Sequence, residues 1–182
     1  MYQRIEPVIK WTGSKHRVAP ILADLLPSAP RYFEPFVGSG AMLPFRPSKT
    51  AVAGDIIPEL VQLWQLIRDE PAQVIKAYQQ RWQRLQNEGH TIYYDIRRDF
   101  NSSRNPFDFL FLTRTCVNGL IRFNKNGDFN NSFHLTRPGI APHRLDKLIQ
   151  QWSVAIQQID FVVSDYRQTL KEVKAGDARH AR

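Results

Sequence analysis

Cysteine is nearly missing from this chain of 182 residues, where Cys116 stands alone. An intrachain disulfide is therefore impossible, and a zinc site built on a Cys-x-x-Cys pair is excluded. Long apolar runs are missing too. No stretch approaches the roughly 18 residues of a membrane helix, and the opening "MYQRIEPVIK" lacks the apolar centre of a signal peptide. These absences lead to the expectation of a soluble intracellular protein. Neither the P-loop pattern nor the Gly-x-Gly-x-x-Gly dinucleotide fingerprint occurs, which argues against the commonest nucleotide-binding enzymes. His16, His90, His134, His143 and His180 are scattered with no i, i+4 pair, so metal chemistry has little support. His134 and His143 are expected to face phosphate or solvent. No nucleophile-elbow signature marks a hydrolase.

What the chain does contain is enough apolar material, 42%, for a real core in one domain or one domain with an insertion. Its 25 Lys/Arg against 17 Asp/Glu give a net charge of +8, and a basic surface attracts polyanions at long range. The charge is uneven. Between Arg114 and Lys147 stand six basic residues against Asp128 and Asp146. The middle of the chain is therefore the expected polyanion contact, with a solvated basic face as the plain alternative.

Along the chain, "VIKWTGSKHR" reads as an apolar entry into a Thr-Gly-Ser turn, and "VAPILADLL" has helical spacing. "RYFEPF" is predicted to be a buried strand, followed by a turn and helix at "VGSGAML". "TAVAGDII" is a second β-prone run that reaches Asp55 near its end. Strands alternating with helical sequence predict βαβ units and a parallel sheet. From Pro58 the texture changes. Leu60, Leu63, Trp64 and Ile67, then Val74, Ile75, Tyr78, Trp82 and Leu85, follow the spacing of core-facing helices. Helices are also predicted at "TIYYDIRRDF" and "PFDFLFLTRT". Asn126-Gly127 between β-prone flanks predicts a hairpin. A last amphipathic helix carrying Leu145, Leu148, Ile149, Trp152 and Ile156 leads to "DFVVSDY", expected as a third buried strand. The reading is an α/β core from residues 1–56 and 159–182, with a helical insertion and its hairpin at 57–158.

The segments "KWTGSKHR", "FEPFVGSGA", "AGDIIPELV" and "NGLIRFNKNGDFN", in this order, resemble the Dam-like, D12 class, site-specific DNA adenine N6-methyltransferases, which use S-adenosylmethionine. The resemblance runs from about residue 8 to residue 177. It implies a Rossmann-like methyltransferase sheet with an inserted target-recognition part, methyl transfer to adenine in a short duplex site, and work in the cytoplasm on the nucleoid. The residues themselves fit. Gly38 and Gly40 allow close backbone approach at the carboxyl edge of a parallel sheet. Glu34 sits where a carboxylate accepts from a ligand's ammonium group, and Asp55 where an acid suits the two hydroxyls of a ribose. A capping acid and a turn former are the plain readings of the same two residues. The resemblance also puts Trp11, Lys15, Phe36, Ile56, Asp165 and Tyr166 on cofactor contacts. Taken alone, Trp11 is a core residue, Lys15 a solvated cation and Asp165 a strand-end acid.

In the insertion, Asn118, Arg122 and Asn124 are candidates for reading base edges, where an arginine paired to guanine is the commonest specific contact. Lys125, Arg137 and Arg144 are expected on phosphates, which position without specifying. Arg114 is a candidate for a buried ion pair. Val117 stands where family members carry an aromatic. The resemblance breaks at the catalytic segment, because no Asp-Pro-Pro-Tyr occurs in these 182 residues. No catalytic residue is assigned, and Asp165 is not promoted to that role. With about three strands expected, the "FEPF" strand would be an edge, and "ARHAR" reads as a tail. That reading leaves a truncated remnant, or a chain completed by a second polypeptide. The alternative function is a DNA-binding module with a vestigial cofactor pocket.

Overall fold

A computed structural model describes residues 5–137 and 139–180. Four parallel strands form the sheet: β1 (Arg31–Glu34), β2 (Thr50–Asp55), β3 (Ile159–Val163) and β4 (Ala178–Arg179), in the order β3-β2-β1-β4. The mixed α/β class and the parallel sheet are as expected. A short α1 (Ala19–Ala23) precedes β1. The helices α2 (Pro58–Asp69), α3 (Pro71–Glu88), α4 (Thr91–Ser103), α5 (Pro106–Thr115) and α6 (Pro142–Ala155) lie between β2 and β3, and α7 (Tyr166–Lys171) lies between β3 and β4. Proline opens α2, α3, α5 and α6, where its missing N–H has no intrahelical partner to lose. The Asn105 side chain caps α5 by accepting from Phe107 N.

Three expectations change. The sheet has a fourth strand, so β1 is flanked on both sides. Tyr32 pairs with Ala178 and Phe33 with Arg179. Pairing is a backbone property, and small residues suffice for it. Ala178 is buried, and Arg31 clips the approach to β4 with an ion pair to Asp177 at 2.7 Å. After the glycine turn there is no α-helix but a single 3-10 turn, Leu43–Phe45, since Pro44 and Pro47 deny the chain helical donors. Third, β3 is an edge strand that buries Ile159 and Phe161 and exposes Asp160. The hairpin at Asn126-Gly127 is present, reduced to antiparallel bridges at Phe123–Phe129 and Cys116–Phe133.

One hydrophobic cluster runs through both the sheet and the helical segment. Its centre is Trp64 of α2, stacked on Phe161 of β3 at 5.8 Å and tilted against Trp152 of α6 at 5.0 Å. The helical spacing read along α2 and α6 is thus spent on the sheet as well as on neighbouring helices.

Candidate functional site

The carboxyl ends of β1 and β2 meet the loop Pro35–Gly40. Asp55 is 9% exposed and ties this loop down. One carboxylate oxygen accepts from Gly38 N at 3.2 Å, the other from Ile57 N at 3.3 Å. Gly38 has φ +46° and carries no side chain where the Trp11 ring lies 2.9 Å from its would-be Cβ. Its carbonyl accepts from Trp64 Nε1 at 3.0 Å, so the core tryptophan of α2 also fixes the loop. The hydroxyls of Ser14 and Ser39 meet at 2.7 Å, joining the N-terminal turn to the loop tip.

Above this frame the surface is apolar and open. Phe36 stacks on Tyr166 at 5.3 Å, both partly exposed, and Ile56 beside Asp55 is 70% exposed. Glu34 is buried, with one oxygen accepting from Tyr32 OH at 2.9 Å and the other 3.7 Å from His180 Nδ1. Burial, reinforced by the Glu34 charge, pushes the Tyr32 phenol far above its ordinary range, which keeps it a donor. Lys15 lies across a narrow crevice from Glu34, with about 10 Å³ of free space between Lys15, Glu34, Ser39 and His180. Asp165 faces its own helix. It caps α7 by accepting from Arg167 N and pairs with the Arg167 guanidinium at 2.8 Å, which holds its carboxyl below the usual range.

A larger cavity of about 850 Å³ opens on the other side of the N-terminal turn, between Lys10–Arg17 and the end of α5. Lys10, Lys15, Arg17, Arg114 and Asn118 line it. Burial, then the Arg114 charge, lowers the Lys10 ammonium below its ordinary value. Arg114 forms no ion pair among the described residues. It is 8% exposed, donates from Nη1 to Pro7 O at 3.2 Å, and leaves Nε unbonded. The expected buried carboxylate partner is replaced by a backbone carbonyl.

Beyond α5 the chain makes a short 3-10 turn, Val117–Gly119, and then the hairpin. Asn118 and Arg122 are exposed. Arg122 Nε donates to Asn130 Oδ1 at 2.8 Å, which holds the base of the guanidinium. Asn124 is engaged within the turn itself. Its Oδ1 accepts from Asn126 N and Asp128 N, both at 2.9 Å, and its Nδ2 donates to Asp128 Oδ2. Lys125 at the tip and Arg137 are exposed. The hairpin is docked on α4 by Asn101, whose side chain exchanges two hydrogen bonds with the backbone of Phe129. No group of three or more His, Cys, Asp or Glu among the described residues is arranged to hold a metal, and no helix among them is long and apolar enough to cross a membrane.

The strand-end acid, the glycine loop and the exposed aromatic pair stand at one edge of the sheet, and comparison with known proteins gives the family. A family model described as D12 class N6 adenine-specific DNA methyltransferase matches residues 11–178. The chain belongs to this methyltransferase family. A DNA adenine methylase of Vibrio cholerae is 29% identical over 171 residues, covering 92% of this chain and 60% of that protein. The Retron Ec67 DNA adenine methylase of Escherichia coli is 30% identical over 176 residues, 93% of this chain and 60% of that one. A type II methyltransferase, M.MjaIII of Methanocaldococcus jannaschii, is 31% identical over 147 residues, covering 69% and 51%. This methyltransferase-family chain therefore spans about 60% of the length of the first two relatives.

Within that family frame the structure brings Trp11, Lys15, Glu34, Phe36, Gly38, Gly40, Asp55, Ile56 and Tyr166 around one sheet edge. Asn118, Arg122, Lys125 and Arg137 lie on the exposed arm. Sequence reasoning missed Ser14, whose partner is 25 positions away, and Trp64, which it read as core alone. Lys10 and Arg114 were also missed as cavity walls. The signal for Lys10 was its place directly before Trp11.

Proposed function

We propose that this chain supplies the cofactor-binding and DNA-reading parts of an adenine N6-methyltransferase, with S-adenosylmethionine as methyl donor and duplex DNA as substrate. The observation that carries the reading is Asp55, a buried carboxylate held by two backbone N–H groups at a strand end, on the same carboxyl edge of the sheet as the exposed Phe36–Tyr166 pair. A carboxylate so oriented accepts ribose hydroxyls, and an exposed aromatic and aliphatic floor takes a purine face. The residues fit the nucleoside half of the group well. Asp55 would hold the ribose, and Phe36, Ile56 and Tyr166 the base. Gly38 and Gly40 would keep the loop backbone close, with Trp11 behind it. Glu34 and Lys15 carry the charges that suit the amino-acid end. When bound, the group supplies an electrophilic methyl for an exocyclic amine. Asp165 contributes by starting α7, which places Tyr166.

Residues 57–158 serve as the target-recognition part in this reading. Asn118 and Arg122 take base edges. Lys125, Arg137 and Arg144 hold phosphates, and Asn124 shapes the tip that presents Lys125. The cavity between Lys10 and Arg114 is large enough for a nucleotide swung out of a duplex, as chemistry on a base requires, and its cations suit the flanking phosphates.

Calorimetric titration with S-adenosylhomocysteine tests the first half. Asp55→Ala should lose at least about tenfold in affinity, from a lost pair of hydrogen bonds to a charged group. No detectable affinity in the parent chain would favour the second reading, a DNA-binding module with a vestigial pocket. One observation supports that alternative: the crevice beside Glu34 is nearly filled.

A further inference from the structure

The loop from Val117 to Leu120 turns through two left-handed residues, with Asn118 exposed and Gly119 buried. Asn118 has φ 56° and Gly119 φ 63°, a conformation that asparagine and glycine adopt most readily and that a fixed surrounding selects over the alternatives. Gly119 also leaves the room that Lys10 takes, since the Lys10 side chain lies 2.7 Å from a Cβ built at that position. The restraint comes from the returning arm of the hairpin. Asn131, 7% exposed, donates from Nδ2 to both ends of the loop, to Val117 O at 2.9 Å and Leu120 O at 2.8 Å. Its Oδ1 accepts from Ser132 N at 2.8 Å, and Val117 N donates to Ser132 O at 2.9 Å. The backbone carbonyl of Asn131 in turn accepts from Tyr93 OH and Arg97 Nη1 of α4, each at 3.0 Å. One buried residue thus joins three pieces: its side-chain amide ties the loop to the hairpin, and its backbone carbonyl ties the hairpin to α4.

A buried side chain with every polar atom engaged has no capacity left to touch a duplex. What it controls is where its neighbours stand. Asn118 is inside the pinned loop, and Arg122 begins two residues after its end, with its own Nε anchored to the adjacent Asn130. We propose that Asn131 is a positioning residue for base recognition, holding Asn118 and Arg122 in the one geometry in which their donors and acceptors meet base edges together. The inference rests on the reading of this arm as the DNA-reading part.

The sharp substitution is Asn131→Asp. It is nearly isosteric and keeps the acceptor for Ser132 N, but it turns an oxygen toward two carbonyls in place of the donor. The full chain, as wild type, Asn131→Asp and Asn131→Ala, is equilibrated with a random-sequence duplex pool. Affinities are then measured for the selected site, its single-base-pair variants and a scrambled duplex, at two salt concentrations. The expected result is that far-UV circular dichroism, scrambled-duplex affinity and salt dependence stay within about threefold of wild type, while discrimination between the selected site and its variants falls about tenfold or more. Asn131→Ala gives the same pattern if the aspartate variant folds poorly. Unchanged discrimination, or a parallel loss on selected and scrambled duplexes, overturns the proposal. A wild-type chain that selects no sequence at all overturns the reading beneath it, and the proposal with it.

Discussion

Gly40 sits at φ +66°, with the Trp64 ring 2.9 Å from where a Cβ would be. An alanine there meets two costs, left-handed strain and displacement of a ring locked between Phe161 and Trp152, together about 2–4 kcal/mol. Urea denaturation of Gly40→Ala checks this, and a change below 1 kcal/mol would show that the ring yields freely. Cys116 gives a second expectation. It is buried at 1% exposure, and burial raises its thiol, so the reactive thiolate is disfavoured twice over. Ellman's reagent at pH 8 should react with native protein only at the rate of local opening, and at once in guanidinium. At this scale the sequence announced the glycine pair and Asp55, because few residue types meet those backbone demands. Asn124 and Asn131 were opaque. An asparagine in a polar loop reads alike whether it faces a base, closes a turn or pins a neighbouring loop, and only the partner atoms tell these apart.

Each flank of the sheet is managed by side chains from elsewhere. At the β3 edge, α2 supplies donors to outward carbonyls: Arg68 Nη1 to Ile159 O at 2.6 Å and Gln65 Nε2 to Phe161 O at 2.8 Å. This pairing blunts a strand edge that would otherwise invite another chain. At β4 the clip is Arg31, bonded to Asp177 and to Glu172 O. Asp177 also accepts from Lys174 N, and this bond first, then Arg31, holds its carboxyl below the ordinary value of 3.8. A folded-state value below the unfolded one means stabilisation is present above pH about 3.8 and is lost as pH falls through the folded value. Thermal unfolding from pH 7 down to pH 2 should therefore show a decline that is shallower in Asp177→Asn than in wild type, the remainder coming from other lowered carboxylates such as Asp69 and Asp165, and parallel curves would remove Asp177 from the clip. Helices were legible in the sequence because their apolar period persists over many residues. β4 was not, since two residues, one an alanine, carry no period and their pairing lies in the backbone.

Across the whole molecule, the change in sequence texture near residues 57 and 159 was legible, but the way the two segments pack was not. Trp64 belongs to the helical segment by its spacing, yet it stacks on a strand and donates to the glycine loop. The carboxyl edge of the sheet is thereby braced by the part of the chain read as an insertion. Charge was legible at the same scale. With the net +8 and the exposed Arg122, Lys125 and Arg137 on one arm, the proposed affinity for DNA would be largely counterion release. Each phosphate contact contributes about 0.9 to the slope of log K against log salt. Arg137 is exposed, with no side-chain ion pair among the described residues. Arg137→Ala should therefore flatten that slope by about one and weaken binding by a similar factor on every sequence. Arg122→Ala differs in kind. Its guanidinium is exposed and anchored at Nε by Asn130, so its loss should relax preference at one base pair by about 1–3 kcal/mol with a smaller change in slope. Titrations of both variants against matched duplexes from 50 to about 200 mM salt separate the roles, and an Arg137 variant that loses affinity at one base pair only would exchange the two assignments.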